Sequence, residues 1–185
     1  MPRAKVRSAV ALGKEQIMAA SQSFDVTTGC DLQEVDNAIN QALKEIRQRY
    51  DFKGLKIEID LRKADNKLVL RVPDEFTLKS VWDVISEKMI RRQVPLKNLH
   101  RGKALPAAGG SVMEEISLQQ GIPIETSREI VKYIKELKLK KVQSEIQGDQ
   151  LRISSPSRDD LQGVMQKIRE KDFGVELKFG NYRSN

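Results

Sequence analysis

Arg49-Tyr50-Asp51-Phe52-Lys53-Gly54 packs two aromatics and two cations into six residues, a grouping whose chemistry suits an anionic ligand. A guanidinium offers a planar fork of donors to a phosphate or to the edge of a guanine, and an ammonium offers a point charge. Core anchoring by Tyr50 and Phe52 accounts for the aromatics with no ligand, which leaves Arg49 and Lys53 as candidate phosphate or guanine contacts. A second concentration begins at Arg128, Lys132 and Lys135, which share one helical face, and continues through Lys138, Lys140 and Lys141 toward Arg152. A third is the run 88–103, where Lys88, Arg91, Arg92, Lys97, Arg101 and Lys103 stand with no acid among them.

The residues that catalysis usually needs are scarce. The single histidine, His100, has no nearby Cys or Ser partner, and the single cysteine, Cys30, allows neither an intrachain disulfide nor a multi-cysteine metal site. Asp159 and Asp160 follow Ser157-Arg158 at a helix start, where carboxylates meet unpaired backbone donors. Neither Gly-x-x-x-x-Gly-Lys-Ser/Thr nor Gly-x-Gly-x-x-Gly occurs. A non-catalytic binding protein without a cofactor is the expectation. The lone cysteine and the lack of an apolar leader point to the cytoplasm.

The formal charge of +7 is unevenly placed. Residues 1–21 contribute +3 and residues 88–103 contribute +6, so the rest of the chain is slightly acidic. Local basic patches are therefore expected, not a uniformly basic nucleic-acid surface.

Hydrophobic periodicity supplies the elements that must hold these side chains. Residues 24–28 alternate as a strand, and Leu32, Val35, Ile39, Leu43, Ile46 and Tyr50 recur at helical spacing behind an Asp31/Glu34 capping box. Strands over 56–61 and 68–72 meet at an Asp65-Asn66 turn, a helix opens at Asp74, and 96–100 closes the unit. Gly102, Pro106, Gly109 and Gly110 mark a flexible joint. The same order then repeats: a strand over 112–119, a helix over 124–139, a hairpin turning at Gly148-Asp149, a helix over 157–171 and a strand over 175–179. The chain thus reads as α+β, a basic mobile extension over 1–22 followed by two ferredoxin-like βαββαβ units over 23–103 and 112–185, joined by a linker over 104–111. The outward hairpin positions carry no aromatic, so base stacking of the RNA-recognition type lacks its platform.

Seven motifs in order carry a family resemblance: Ser23-Phe24-Asp25-Val26, Arg49 to Gly54, Phe76-Thr77-Leu78, Gln120-Gly121-Ile122, Ile146-Gln147-Gly148-Asp149, Arg158-Asp159-Asp160-Leu161-Gln162, and Phe179 with Asn181-Tyr182-Arg183. Over residues 23–183 the chain resembles the bacterial YajQ family. The resemblance implies a duplicated ferredoxin-like fold with the first strand of each half exchanged, and a nucleotide or nucleic-acid ligand. It also implies that some members are cyclic di-GMP receptors acting through a transcription-factor partner. The chain departs from the family at Ser155-Pro156, where many relatives place Gly-Lys, so that lysine's phosphate contact is not carried over.

The nucleotide-contact candidates are Arg49, Asp51, Lys53, Lys138, Lys141, Gln147, Arg152 and Arg158. Lys88, Arg91, Arg92, Lys97 and Arg101 are candidates for contact with nucleic acid or an acidic protein partner.

Overall fold

In the computed structural model, which describes residues 21–184, strict alternation builds the strands that hold the core. Strand β8 (Gln150–Ser155) buries Leu151, Ile153 and Ser155 and leaves Gln150, Arg152 and Ser154 partly open, the two-residue period of a pleated strand. It lies between β7 (Gln143–Gln147) and β1 (Gln22–Thr27), and β1 pairs in turn with β9 (Lys178–Ser184). All three pairings are antiparallel. Ile122, Phe24 and Val26 pack with Leu151, Ile153, helix α3 (Ile124–Glu136) and helix α4 (Arg158–Glu170) in one core.

The second sheet follows the same logic. Its order is β2 (Glu58–Arg62), β3 (Lys67–Val72), β6 (Val112–Leu118) and β4 (Leu99–Arg101), with the short β5 (Leu105–Pro106) also on β6. Helices α1 (Leu32–Gln48) and α2 (Glu75–Arg91) press their apolar faces onto Leu68, Leu70, Val72, Ile116 and Leu118. Among the described residues the architecture is α+β: two antiparallel sheets and four α-helices. β1 sits in the sheet built otherwise from the C-terminal elements, and β6 in the sheet built from the N-terminal ones.

Helix starts follow the expected residues, with one change of partner. Asp31 accepts from the backbone N–H of Gln33 and Glu34, and Asp74 from Thr77. The Glu34 side chain does not return to close the Asp31 box; it accepts from Asn37 and pairs with Arg92 instead. Ser157, not the following carboxylates, caps α4, and Asp159 and Asp160 occupy its first turn.

Several expectations are corrected. Tyr50 is not a core residue: α1 ends at Gln48, a short 3-10 turn follows, and the ring is 88% exposed while Phe52 is buried. The last strand is not over 175–179 but at Lys178–Ser184, because Gly174 takes a left-handed turn before it and β1 offers a pairing edge that local sequence does not reveal. Residues 96–98 form a 3-10 turn before the short β4, and α3 ends at Glu136. Val69, at an outward position of the first hairpin by strand alternation, is only 5% exposed. In the segment expected as a joint, Gly102 donates to the Glu115 carbonyl, Ala107 to Ser111, and β5 lies on β6. The basic extension lies outside the described residues, apart from Ser21 and Gln22, the latter opening β1.

Buried polar bonds join the two sheets. Asn98, fully buried, donates to Thr28 Oγ1 at 3.0 Å and accepts from the Glu176 N–H at 3.0 Å. Gln120 donates to the Cys30 carbonyl at 2.9 Å. Burial pushes the Cys30 thiol up to about 11, so it stays protonated at neutral pH and is a poor nucleophile. Among the described residues, no helix is long and apolar enough to cross a membrane.

Candidate functional site

The register of β1 with β9 brings the start of β1 and the end of β9 to the first turn of α4. A concavity of about 550 Å³ opens there, floored by Phe24 and Leu161 and walled by Arg158, Met165, Tyr182 and Arg183. Phe24 is 1% exposed, and its ring lies 6.2 Å from that of Tyr182. Burying such a side chain is worth roughly 1.5–3 kcal/mol. Tyr182 is 63% exposed, with its hydroxyl 3.7 Å from the Met165 sulfur. An aromatic face is thus presented to solvent beside an apolar floor.

Two guanidiniums flank it. Arg158 is the first residue of α4, directly after the extended N-cap Ser157, and is exposed. Arg183 comes from β9, paired with Ser23 across the sheet. Both are exposed, and neither makes an ion pair with any described residue. Arg fork, aromatic face and apolar floor together can take a group with a phosphate and a planar ring.

Arg183 also lines a shallower groove of about 320 Å³ on the open face of the same sheet, with Asp25, Arg152, Gly180 and Asn181. Here β9 bulges against β1 between Ser23 and Asp25. Asn181 takes a left-handed backbone there, with φ of 52°, and its side-chain amide donates to Asp25. Asp25 is 4% exposed and also accepts from Arg152 Nε at 2.8 Å and Nη2 at 3.1 Å. The Arg152 hydrogen bonds hold its carboxyl below the usual carboxylate range, against the burial that would raise it. The Arg152 fork is therefore already occupied.

The other sequence candidates fall elsewhere. Arg49 grips Asp51 at 3.1 and 2.7 Å and lies over the Phe52 ring at 4.8 Å, so that corner is self-paired; Lys53 is exposed. Gln147 donates to Glu145 on the open sheet face. Lys138 lies in a separate concavity after α3, with Lys141 exposed nearby.

The run 88–103, acid-free in sequence, is not acid-free in space. Lys88 is 8% exposed and bonds Glu45 at 2.6 Å, Arg91 pairs with Glu87, Arg92 with Glu34 and Lys97 with Asp172. Arg101 donates two hydrogen bonds of 2.7 Å each to buried Glu114 and lies over Trp82 at 4.7 Å.

Tyr182 and Arg183 did not emerge as site residues from periodicity. Their signal was the Asn181-Tyr182-Arg183 motif, an aromatic and a cation directly after a glycine and an asparagine. No group of three or more His, Cys, Asp or Glu that could hold a metal ion occurs among the described residues.

Comparison with known proteins covers nearly the whole described chain. Residues 22–183 match the family model described as nucleotide-binding protein YajQ-like. A protein of Geotalea uraniireducens (strain Rf4) named nucleotide-binding protein is 51% identical over 161 residues, 87% of this chain and 98% of the relative. Relatives of the same name from Carboxydothermus hydrogenoformans and Solibacter usitatus are 49% and 47% identical, covering 90% and 88% of this chain and 100% and 98% of theirs. With its seven motifs in order and a family match spanning both sheets, the chain belongs to the YajQ family.

Proposed function

We propose that this protein is a non-catalytic nucleotide-binding protein whose ligand sits in the concavity between β1, α4 and β9. Arg158 and Arg183 take the phosphates, and the exposed face of Tyr182 takes the base. The observation that carries this reading is a pair of guanidiniums, without an ion-pair partner among the described residues, flanking an exposed aromatic over a buried apolar floor. The name shared by relatives at 47–51% identity supports the ligand class.

The finer reading is a cyclic dinucleotide such as cyclic di-GMP, acting in the cytoplasm through a protein partner. Arg183 faces both the concavity and the open-sheet groove, which offers a second purine or phosphate a place across the β9 edge. The fold reads as two ferredoxin-like units with exchanged first strands, an interpretation supported by the positions of β1 and β6. In that arrangement the halves move as one body. The rival, nucleic-acid or acidic-partner contact through residues 88–103, draws less support because Lys88, Arg91, Arg92, Lys97 and Arg101 each have a carboxylate partner.

Isothermal titration with GTP, ATP and cyclic di-GMP tests the reading. At least one binds saturably, and Arg158→Ala or Arg183→Ala weakens it about tenfold or more, the worth of one charge-assisted hydrogen bond. No heat from any of the three at high micromolar protein overturns it.

A further inference from the structure

At the corner where α3 gives way to β7, Lys135, Lys138 and Lys140 line one concavity of about 680 Å³. Its apolar surface comes from Ile134, which is buried, and from the half-buried Leu139 and Val142. No carboxylate of a described residue lines it, and none of the three lysines makes an ion pair with a described residue. Neighbouring cations are satisfied differently: Arg128 bonds Glu125 at 2.9 Å, and Lys171 bonds Glu129 at 3.3 Å.

A helix C-terminus favours positive charge, which accounts for a lysine in the last turn. It does not account for three on one hollow or for the apolar floor beneath them. Lys138 also occupies a left-handed position, with φ of 53°, where glycine or asparagine usually ends a helix. Lysine stems lie comfortably along apolar surface while their heads stay polar, so the hollow is apolar below and cationic at its rim. Among the described residues no aromatic ring or guanidinium lines it, so they do not supply the parts a nucleotide base and a forked phosphate contact would use.

We propose that this concavity binds an amphiphilic organic anion, a phosphate or sulfate headgroup on an alkyl body. The headgroup sits among the three ammoniums and the body lies on Ile134, Leu139 and Val142. The site is separate from the one assigned to nucleotide and stands independently of it.

Dodecyl phosphate, kept below its micelle concentration and titrated calorimetrically into the full chain, tests this. Inorganic pyrophosphate and dodecyltrimethylammonium are the controls. Saturable binding of dodecyl phosphate is expected, with pyrophosphate and the cationic amphiphile each at least roughly tenfold weaker, because each lacks one half of the recognition. The triple variant Lys135→Gln, Lys138→Gln, Lys140→Gln, with folding checked by circular dichroism, loses that affinity about a hundredfold or more while any nucleotide response persists. Equal binding of the cationic amphiphile would reduce the hollow to a greasy patch, and pyrophosphate binding as tightly as dodecyl phosphate would reduce it to a charge cluster. Either result, or no saturable binding, overturns the proposal.

Discussion

Arg152 holds Asp25 through both Nε and Nη2, at 2.8 and 3.1 Å, across neighbouring strands whose residues stand 127 positions apart in sequence. The pair welds the opening strand to the C-terminal sheet. Its carboxylate is nearly inaccessible, so the fork is consumed by structure and is not left for a ligand.

Acid should weaken this fold through Asp25. Its folded pKa lies below the unfolded value of about 3.9, so the native state favours the charged form. That stabilisation is complete above the unfolded value and drains as pH falls through the folded one. Urea midpoints measured from pH 6 to pH 3 should therefore drop more steeply for the native chain than for Asp25→Asn. Parallel slopes would show that the pair does not carry this linkage.

Asn98→Ala removes two bonds that join the sheets and leaves the Glu176 N–H without its acceptor. A buried group so stranded costs about 1–3 kcal/mol, and a chain of this size should lose roughly 2–10 °C in melting temperature. Scanning calorimetry gives the answer. An unchanged melting temperature would mean the Asn98 bonds contribute nothing net.

Gly121 and Gly174 separate two reasons for glycine. Both have left-handed backbones, with φ of +72° and +77°, but a Cβ on Gly121 would meet the Asp149 side chain at 2.5 Å, while one on Gly174 would meet nothing within 4 Å. Gly174→Ala should cost about 1 kcal/mol for its backbone alone, and Gly121→Ala clearly more. Chemical denaturation ranks the two.

The Arg49–Gly54 corner splits its aromatics. Tyr50→Ser should leave stability within about 0.5 kcal/mol, whereas Phe52→Ala should cost about 3–5 kcal/mol. Equal losses would return Tyr50 to the core.

Much of this was legible where one face is buried and the other is not. The alternation through residues 150–155 and the apolar stripes of α1 and α4 are local signals, and the structure follows them. The end of the chain was not legible. Gly180-Asn181-Tyr182-Arg183 has no apolar alternation, and only the edge of β1, distant in sequence, makes it a strand. Charge was the least legible feature: apart from the i,i+4 pair of Arg91 with Glu87, the cations of residues 88–103 find their acids on α1, on β6 and after α4, which a linear count cannot place. Lys135, Lys138 and Lys140 could be seen as a basic cluster, but the apolar hollow they share arises only when Leu139 and Val142 turn back onto Ile134.

The central claim, a nucleotide held against Tyr182, is tested most directly by photocrosslinking. The full chain is irradiated with 8-azido-GTP or 8-azido-ATP, digested, and mapped by mass spectrometry. The adduct should fall on the peptide carrying Tyr182, should be competed by the unmodified nucleotide, and should fade in Tyr182→Ala, since base stacking on one ring is worth about 1–3 kcal/mol. A competed adduct confined to residues 49–54 or 135–141, with none near Tyr182, would contradict the account.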